Sequence, residues 1–166
     1  AVAGDSAGGN LAAVTAIGCR DRAVAAPSAQ LLIYPVIEPS FDTDSYRRCA
    51  SGYFLTSAAM QWYWRQYLGA ETQPGHTDLV APARAESHAG LPPAVIVTAG
   101  LDPLHSEGCD YARRLRDARV PVVHRDFPDL FHGFLTIPAF PPAVSALDLI
   151  CADLRGLLRT TLREAI

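Results

Sequence analysis

Apolar positions along this chain fall into short unbroken runs separated by amphipathic stretches. Gln30-Leu31-Leu32-Ile33-Tyr34 is apolar on both faces and is stopped by Pro35. Ala94-Val95-Ile96-Val97-Thr98-Ala99 is β-branched and bounded by Pro92-Pro93 and Gly100. Such runs suit strands of a parallel sheet covered on both sides. Val120 to Phe127, bounded by Pro128, carries His124, Arg125 and Asp126 and reads as a more polar edge strand. Ala1-Val2-Ala3 reads as the end of another buried strand. The stretches between have helical patterns. Gly9 to Ile17 is Ala-rich and ends near Gly18, which predicts a buried helix. Thr56 to Tyr67 starts at an N-cap, Thr56 or Ser57, and carries Met60, Trp62, Tyr63, Trp64 and Tyr67. Ser106 to Ala118 presents Tyr111, Leu115 and Ala118 on one face. Pro142 to Arg163 repeats Leu147, Ile150, Leu154 and Leu157 at helical spacing, with acids early and arginines late.

Strands alternating with helices predict an α/β class chain with a parallel sheet, here as one domain over residues 1–166. The connection from Val36 to Ser57 is long and carries Phe41, Tyr46, Tyr53 and Phe54. Excursions of that length are usually functional or disordered. Its aromatic residues either line a pocket or pack into a core.

Composition narrows the function classes. The 166 residues are 49% hydrophobic and 19% charged, enough apolar material for a sizeable core. A net charge of −3 gives no attraction to nucleic acid or to an anionic membrane. No unbroken apolar run reaches the roughly 18 residues of a membrane span. Cys19, Cys49, Cys109 and Cys151 are widely spaced and form no Cys-x-x-Cys pair. That spacing argues against a disulfide framework or a zinc site and for reduced thiols in a cytoplasmic protein.

Candidate chemistry begins at Gly4-Asp5-Ser6-Ala7-Gly8, a Gly-x-Ser-x-Gly sequence between an apolar strand end and a helix. In a nucleophile elbow of this form, a sharp turn lifts the serine Oγ clear and glycines let neighbouring backbone pass close by. A serine hydroxyl is a weak nucleophile and needs a base oriented by a third group. Reacting groups in open α/β sheets gather beyond the carboxyl ends of strands. Asp102 directly follows the Ala94–Ala99 run, where it serves either as the orienting acid or as a helix cap. His132 follows the last strand in Phe131-His132-Gly133-Phe134. The other candidates are placed less well. Asp110, Asp117, Asp126 and Asp129 fall inside a helix or around the last strand. His76 and His88 lie in polar loops and read as solvated, His124 sits within a strand, and His105 starts a helix.

Taken together these segments resemble the hormone-sensitive-lipase-like esterases of the α/β-hydrolase superfamily. The resemblance rests on Gly4-Asp5-Ser6-Ala7-Gly8-Gly9-Asn10-Leu11-Ala12, Tyr34-Pro35, Leu91-Pro92-Pro93-Ala94, Gly100-Leu101-Asp102-Pro103-Leu104 and His132-Gly133-Phe134. It implies Ser6 as nucleophile, Asp102 as acid, His132 as base and the Ala7 backbone N–H as an oxyanion donor. It also implies hydrolysis of short- to medium-chain acyl esters through an acyl-enzyme, with no cofactor or metal. Pairing of two copies through the last strand and the C-terminal helix is a further implication. Three features depart from the pattern. No His-Gly-Gly-Gly segment precedes the serine, the family's N-terminal strands and cap have no counterpart, and Arg119 stands where the family has glycine. The expectation is the C-terminal half of an α/β-hydrolase fold. Two competing readings follow from it: a non-catalytic hydrolase-fold module that binds a partner, and a lactonase or amidase on the same fold.

Overall fold

Four strands form one parallel sheet in the order β1-β2-β3-β4: β1 Val2–Asp5, β2 Gln30–Ile33, β3 Ala94–Leu101 and β4 Val122–Phe131. The helices are α1 Ala7–Asp21, α2 Asp44–Arg48, α3 Ser57–Leu68, α4 His105–Asp117 and α5 Pro141–Glu164. The computed structural model describes residues 1–69 and 79–164. The strands start in line, with Val2 opposite Gln30, Gln30 opposite Ala94 and Ala94 opposite Val122. The segments that leave their carboxyl ends therefore emerge along one edge of the sheet.

Strand residues alternate between the two faces. Leu32 and Ile96 point into a core shared with Ala13, Ile17, Tyr111 and Leu115 of α1 and α4. Val95, Val97 and Ala99 point the other way, onto Ala143, Ala146 and Ile150 of α5. Burying an Ile or Leu of this kind contributes about 1.5–3 kcal/mol. The Val36–Ser57 excursion supplies a third cluster, in which Val36 and Tyr46 pack on Met60, Trp64 and Leu104. Its aromatics divide between both expected roles. Tyr46 is core, whereas Phe54 is 78% exposed.

Three expectations are corrected. β4 does not stop at Pro128 but runs through it to Phe131. An edge strand tolerates proline because one side has no ladder to serve. Gly100 accommodates it, since a Cβ there would lie 2.2 Å from the Pro128 carbonyl oxygen. α1 likewise passes through the buried Gly18 and ends at Asp21, four residues beyond Ile17. On α5 the buried face runs through Ala143, Ala146 and Ile150, while Leu147 is half exposed. Small alanines let that face lie close against the sheet, and the larger Leu147 falls on the outer side. Among the described residues no helix is long and apolar enough to cross a membrane.

Candidate active site

The turn from β1 into α1 holds Ser6 at φ 53° and ψ −119°, a conformation costing a non-glycine residue about 1–3 kcal/mol. Surrounding backbone fixes it there. The Ser6 N–H donates to the Ile33 carbonyl at 2.9 Å, and the Ser6 carbonyl accepts from the N–H groups of Val36 (3.1 Å) and Asn10 (3.2 Å). The turn is tight enough to require two glycines. A Cβ on Gly4 would sit 2.1 Å from the Gly8 carbonyl oxygen, and one on Gly9 would sit 2.8 Å from Cβ of Pro35. Gly8 is different, because its nearest neighbour would be Oδ1 of Asp5 at 3.9 Å. The close approaches thus belong to Gly4 and Gly9, not to both glycines of the five-residue pattern.

Asp102 leaves the end of β3 fully buried. Its Oδ1 accepts the Leu104 N–H at 2.9 Å, and its Oδ2 lies 2.7 Å from Nδ1 of His132. One carboxylate oxygen thus holds the loop that leads into α4, whose N-cap is Leu104 rather than Asp102, and the other faces the histidine. His132 follows β4 and turns inward ahead of Gly133, whose φ of 78° is in the left-handed region. Its Nε2 lies 2.9 Å from Oγ of Ser6. Tyr34 supports the imidazole with its ring 4.8 Å away and packs in turn on Phe134 at 5.7 Å. Burial, reinforced by the Asp5 and Asp102 carboxylates, pushes the Tyr34 phenol far above its usual range and keeps it neutral.

Ser6, Ala7 and His132 line one cleft of about 650 Å³. Ala7 is the first residue of α1, so its N–H belongs to the helix end that has no internal acceptors and carries partial positive charge. The cleft walls are apolar, with Leu11, Val36, Phe54, Met60 and Trp64 among them. Among the described residues no group of three or more His, Cys, Asp or Glu side chains is arranged to hold a metal.

The remaining histidines among the described residues stand apart from this cleft. His105 does begin α4, and its Nε2 meets Oδ1 of Asp126 at 3.0 Å. His124 contacts Thr98 Oγ1 at 2.9 Å. His88 is half-buried rather than solvated, with Nε2 3.0 Å from the Pro82 carbonyl and its ring edge-on to Tyr111. The loop folds back over α4, which a polar composition does not reveal. His76 lies outside the described residues.

Two buried polar residues at the site escape sequence reasoning. Asn10 donates from Nδ2 to the carbonyls of Val36 (3.0 Å) and Val80 (2.9 Å). Glu107 accepts the Ile37 N–H at 2.7 Å and the Glu38 N–H at 3.3 Å on its Oε1. Burial pushes the Glu107 carboxyl well above the ordinary carboxylate range. A signal for Glu107 did exist: it stands four residues before Tyr111, a charged residue on the apolar face of α4.

Comparison with known proteins follows the same lines. Residues 1–136 match a family described as having the alpha/beta hydrolase fold. The carboxylic ester hydrolase LipN of Mycobacterium tuberculosis is 42% identical over 142 residues, which cover 82% of this chain and 38% of that protein. The ethyl acetate hydrolase of Pseudomonas putida is 36% identical over 139 residues, covering 81% of this chain and 42% of that protein. The solved structure of an esterase of the fungus Rhizomucor miehei superposes with a TM-score of 0.91 at 33% identity, over 98% of this chain and 51% of its own. The chain thus spans about two fifths to a half of the length of these relatives.

Proposed function

The chain belongs to the alpha/beta hydrolase fold family, in its hormone-sensitive-lipase-like branch, and from that premise we propose that the protein hydrolyses carboxylic esters with Ser6 as its nucleophile. The observation that carries the proposal is the unbroken contact chain Asp102–His132–Ser6, at 2.7 and 2.9 Å. The names of the relatives, a carboxylic ester hydrolase and an ethyl acetate hydrolase, support an ester as the substrate.

In this mechanism His132 Nε2 takes the proton of Ser6 Oγ as the oxygen attacks the ester carbonyl. Asp102 keeps the imidazole in the tautomer with hydrogen on Nδ1 and stabilises the imidazolium that forms. The Ala7 N–H faces the developing oxyanion, assisted by the positive end of α1. His132 then returns the proton to the leaving alcohol, and water repeats the sequence on the acyl-enzyme. The uncharged walls of the cleft suit short or medium acyl groups on a small-molecule ester.

The test is reaction of the chain with a fluorophosphonate and with p-nitrophenyl acetate, beside Ser6→Ala. We expect a single adduct on Ser6, and turnover that drops about 10³-fold or more in the variant. Turnover retained by Ser6→Ala, or an adduct at another residue, overturns the assignment.

A further inference from the structure

Glu107 takes no part in the proton relay, yet it is buried and spends one carboxylate oxygen on two backbone N–H groups. Its other oxygen, Oε2, makes no hydrogen bond among the described residues. Burying a carboxyl so incompletely paired is costly. A leucine at this position would extend the apolar face of Tyr111 and Leu115 without that cost. What a leucine lacks is an acceptor for Ile37 and Glu38.

Those two residues end a strap, residues 34–38, that crosses the elbow. Tyr34 donates its N–H to the Val97 carbonyl at 2.7 Å and rests its ring on His132. Pro35 packs against Gly9, Val36 donates to the Ser6 carbonyl, and Asn10 grips the Val36 carbonyl. Only the far end, at Ile37 and Glu38, hangs on Glu107. We propose that Glu107 is a positioning residue: by anchoring the strap it holds the Ser6 peptide in its strained turn and so places Oγ against His132. The inference rests on the reading of Ser6 as nucleophile. A strained residue persists only where its surroundings over-determine it, and the strap supplies one of the bonds that do so.

The experiment compares Glu107→Ala and Glu107→Gln with the unaltered chain. It records p-nitrophenyl acetate kinetics, the rate of fluorophosphonate labelling at Ser6, and hydrogen exchange of the Val36 and Ile37 amides. Glu107→Ala should lower kcat about 10- to 100-fold and slow labelling alike, the scale of a small misplacement of a reacting group. KM should move less than about threefold, because the lost interaction belongs to the transition state rather than to ground-state binding. The two amides should exchange faster. Glu107→Gln keeps an oxygen that accepts both N–H groups and should restore all three readouts. If Glu107→Ala does not fold, Glu107→Asp, which draws the acceptor back by one methylene, carries the same test.

Wild-type labelling and amide exchange in a folded Glu107→Ala overturn the proposal. So does faster exchange with an unchanged labelling rate, which would mean that Ser6 does not depend on the strap. So does a glutamine variant as impaired as the alanine one. Absence of Ser6 labelling in the unaltered chain is a separate result: it removes the nucleophile assignment itself, and this proposal with it.

Discussion

Ser6 stands in a conformation that serine alone would abandon, and the residues around it show what keeps it there. The decisive one is Gly4. An added Cβ at 2.1 Å from the Gly8 carbonyl oxygen cannot be relieved by a side-chain rotation, since the obstacle is backbone. Gly4→Ala should therefore destabilise the fold by about 1–3 kcal/mol or more, the usual cost of overpacking. Gly8→Ala meets nothing closer than 3.9 Å and lies inside α1. It should be neutral or stabilising by up to about 1 kcal/mol, the helix gain of alanine over glycine. Urea midpoints of the two variants check the pair, and equal losses would sink the argument. This asymmetry is invisible in the motif, which marks both glycines alike. The residues proposed as acid and base were legible for a plainer reason. Asp102 and His132 each leave the carboxyl end of a strand, and strand ends can be read from apolar runs and their breakers. Glu107 showed only as a charge on an apolar helix face and Asn10 not at all, because their partners are backbone groups of a strap distant from them in sequence.

At the scale of elements, α4 ends in a strained way at Arg119, the position where the sequence departs from the glycine of the family it resembles. The Val120 N–H reaches the Leu115 carbonyl at 2.9 Å and the Arg119 N–H reaches the Arg116 carbonyl at 2.8 Å, the paired bonds of a Schellman ending. That ending demands a left-handed residue, and Arg119 takes it with φ 63°. Leu115 and Val120, both buried, close the motif from the core side. Arg119→Gly keeps every bond and removes the Cβ clash, so it should raise stability by about 1 kcal/mol. Thermal unfolding checks this, and a lowered midpoint would refute it. The elements that departed from expectation share one cause. Pro128 and Gly18 are punctuation marks in a sequence, but an unpaired sheet edge and a small buried helix position absorb them. On α5 only Leu147 departs from the expected stripe, since Ile150, Leu154 and Leu157 do pack on the sheet, while Val144 and Leu147 form a second apolar face beside the alanines. Only tertiary packing decides between such faces.

At the scale of the whole molecule, buried ionisable groups make stability depend on pH in opposing directions. The loop carrying His88 ties α1 to α4. Arg20 of α1 donates to the carbonyls of Ser87 (2.6 Å) and Ala89 (3.0 Å), and Arg114 of α4 donates to that of Ala83 (3.3 Å). His88 sits among them with its pKa lowered from 6.5, chiefly by burial and then by Arg114 and Arg20, against the opposing pull of the Pro82 carbonyl. His124 is lowered by burial too, despite Asp126. A lowered histidine pKa means that the unfolded chain takes up a proton that the folded one refuses. Stability is then complete above about pH 6.5 and is lost as the pH falls toward the folded value. Glu107 acts in reverse. Its raised pKa gives stability that is complete below its ordinary 4.5 and is lost as the pH rises through the folded value. A bare pH profile mixes these contributions, so a difference is needed. His88→Gln keeps a polar group near Pro82 and removes the titration. Between pH 7.5 and 5.5 the urea midpoint of the unaltered chain should fall further than that of His88→Gln. In a cooperative unfolding transition the loss at one half-buried imidazole registers as a loss for the whole sheet. Parallel profiles for the two proteins would mean that the loop opens freely enough to protonate His88 without unfolding α1 and α4.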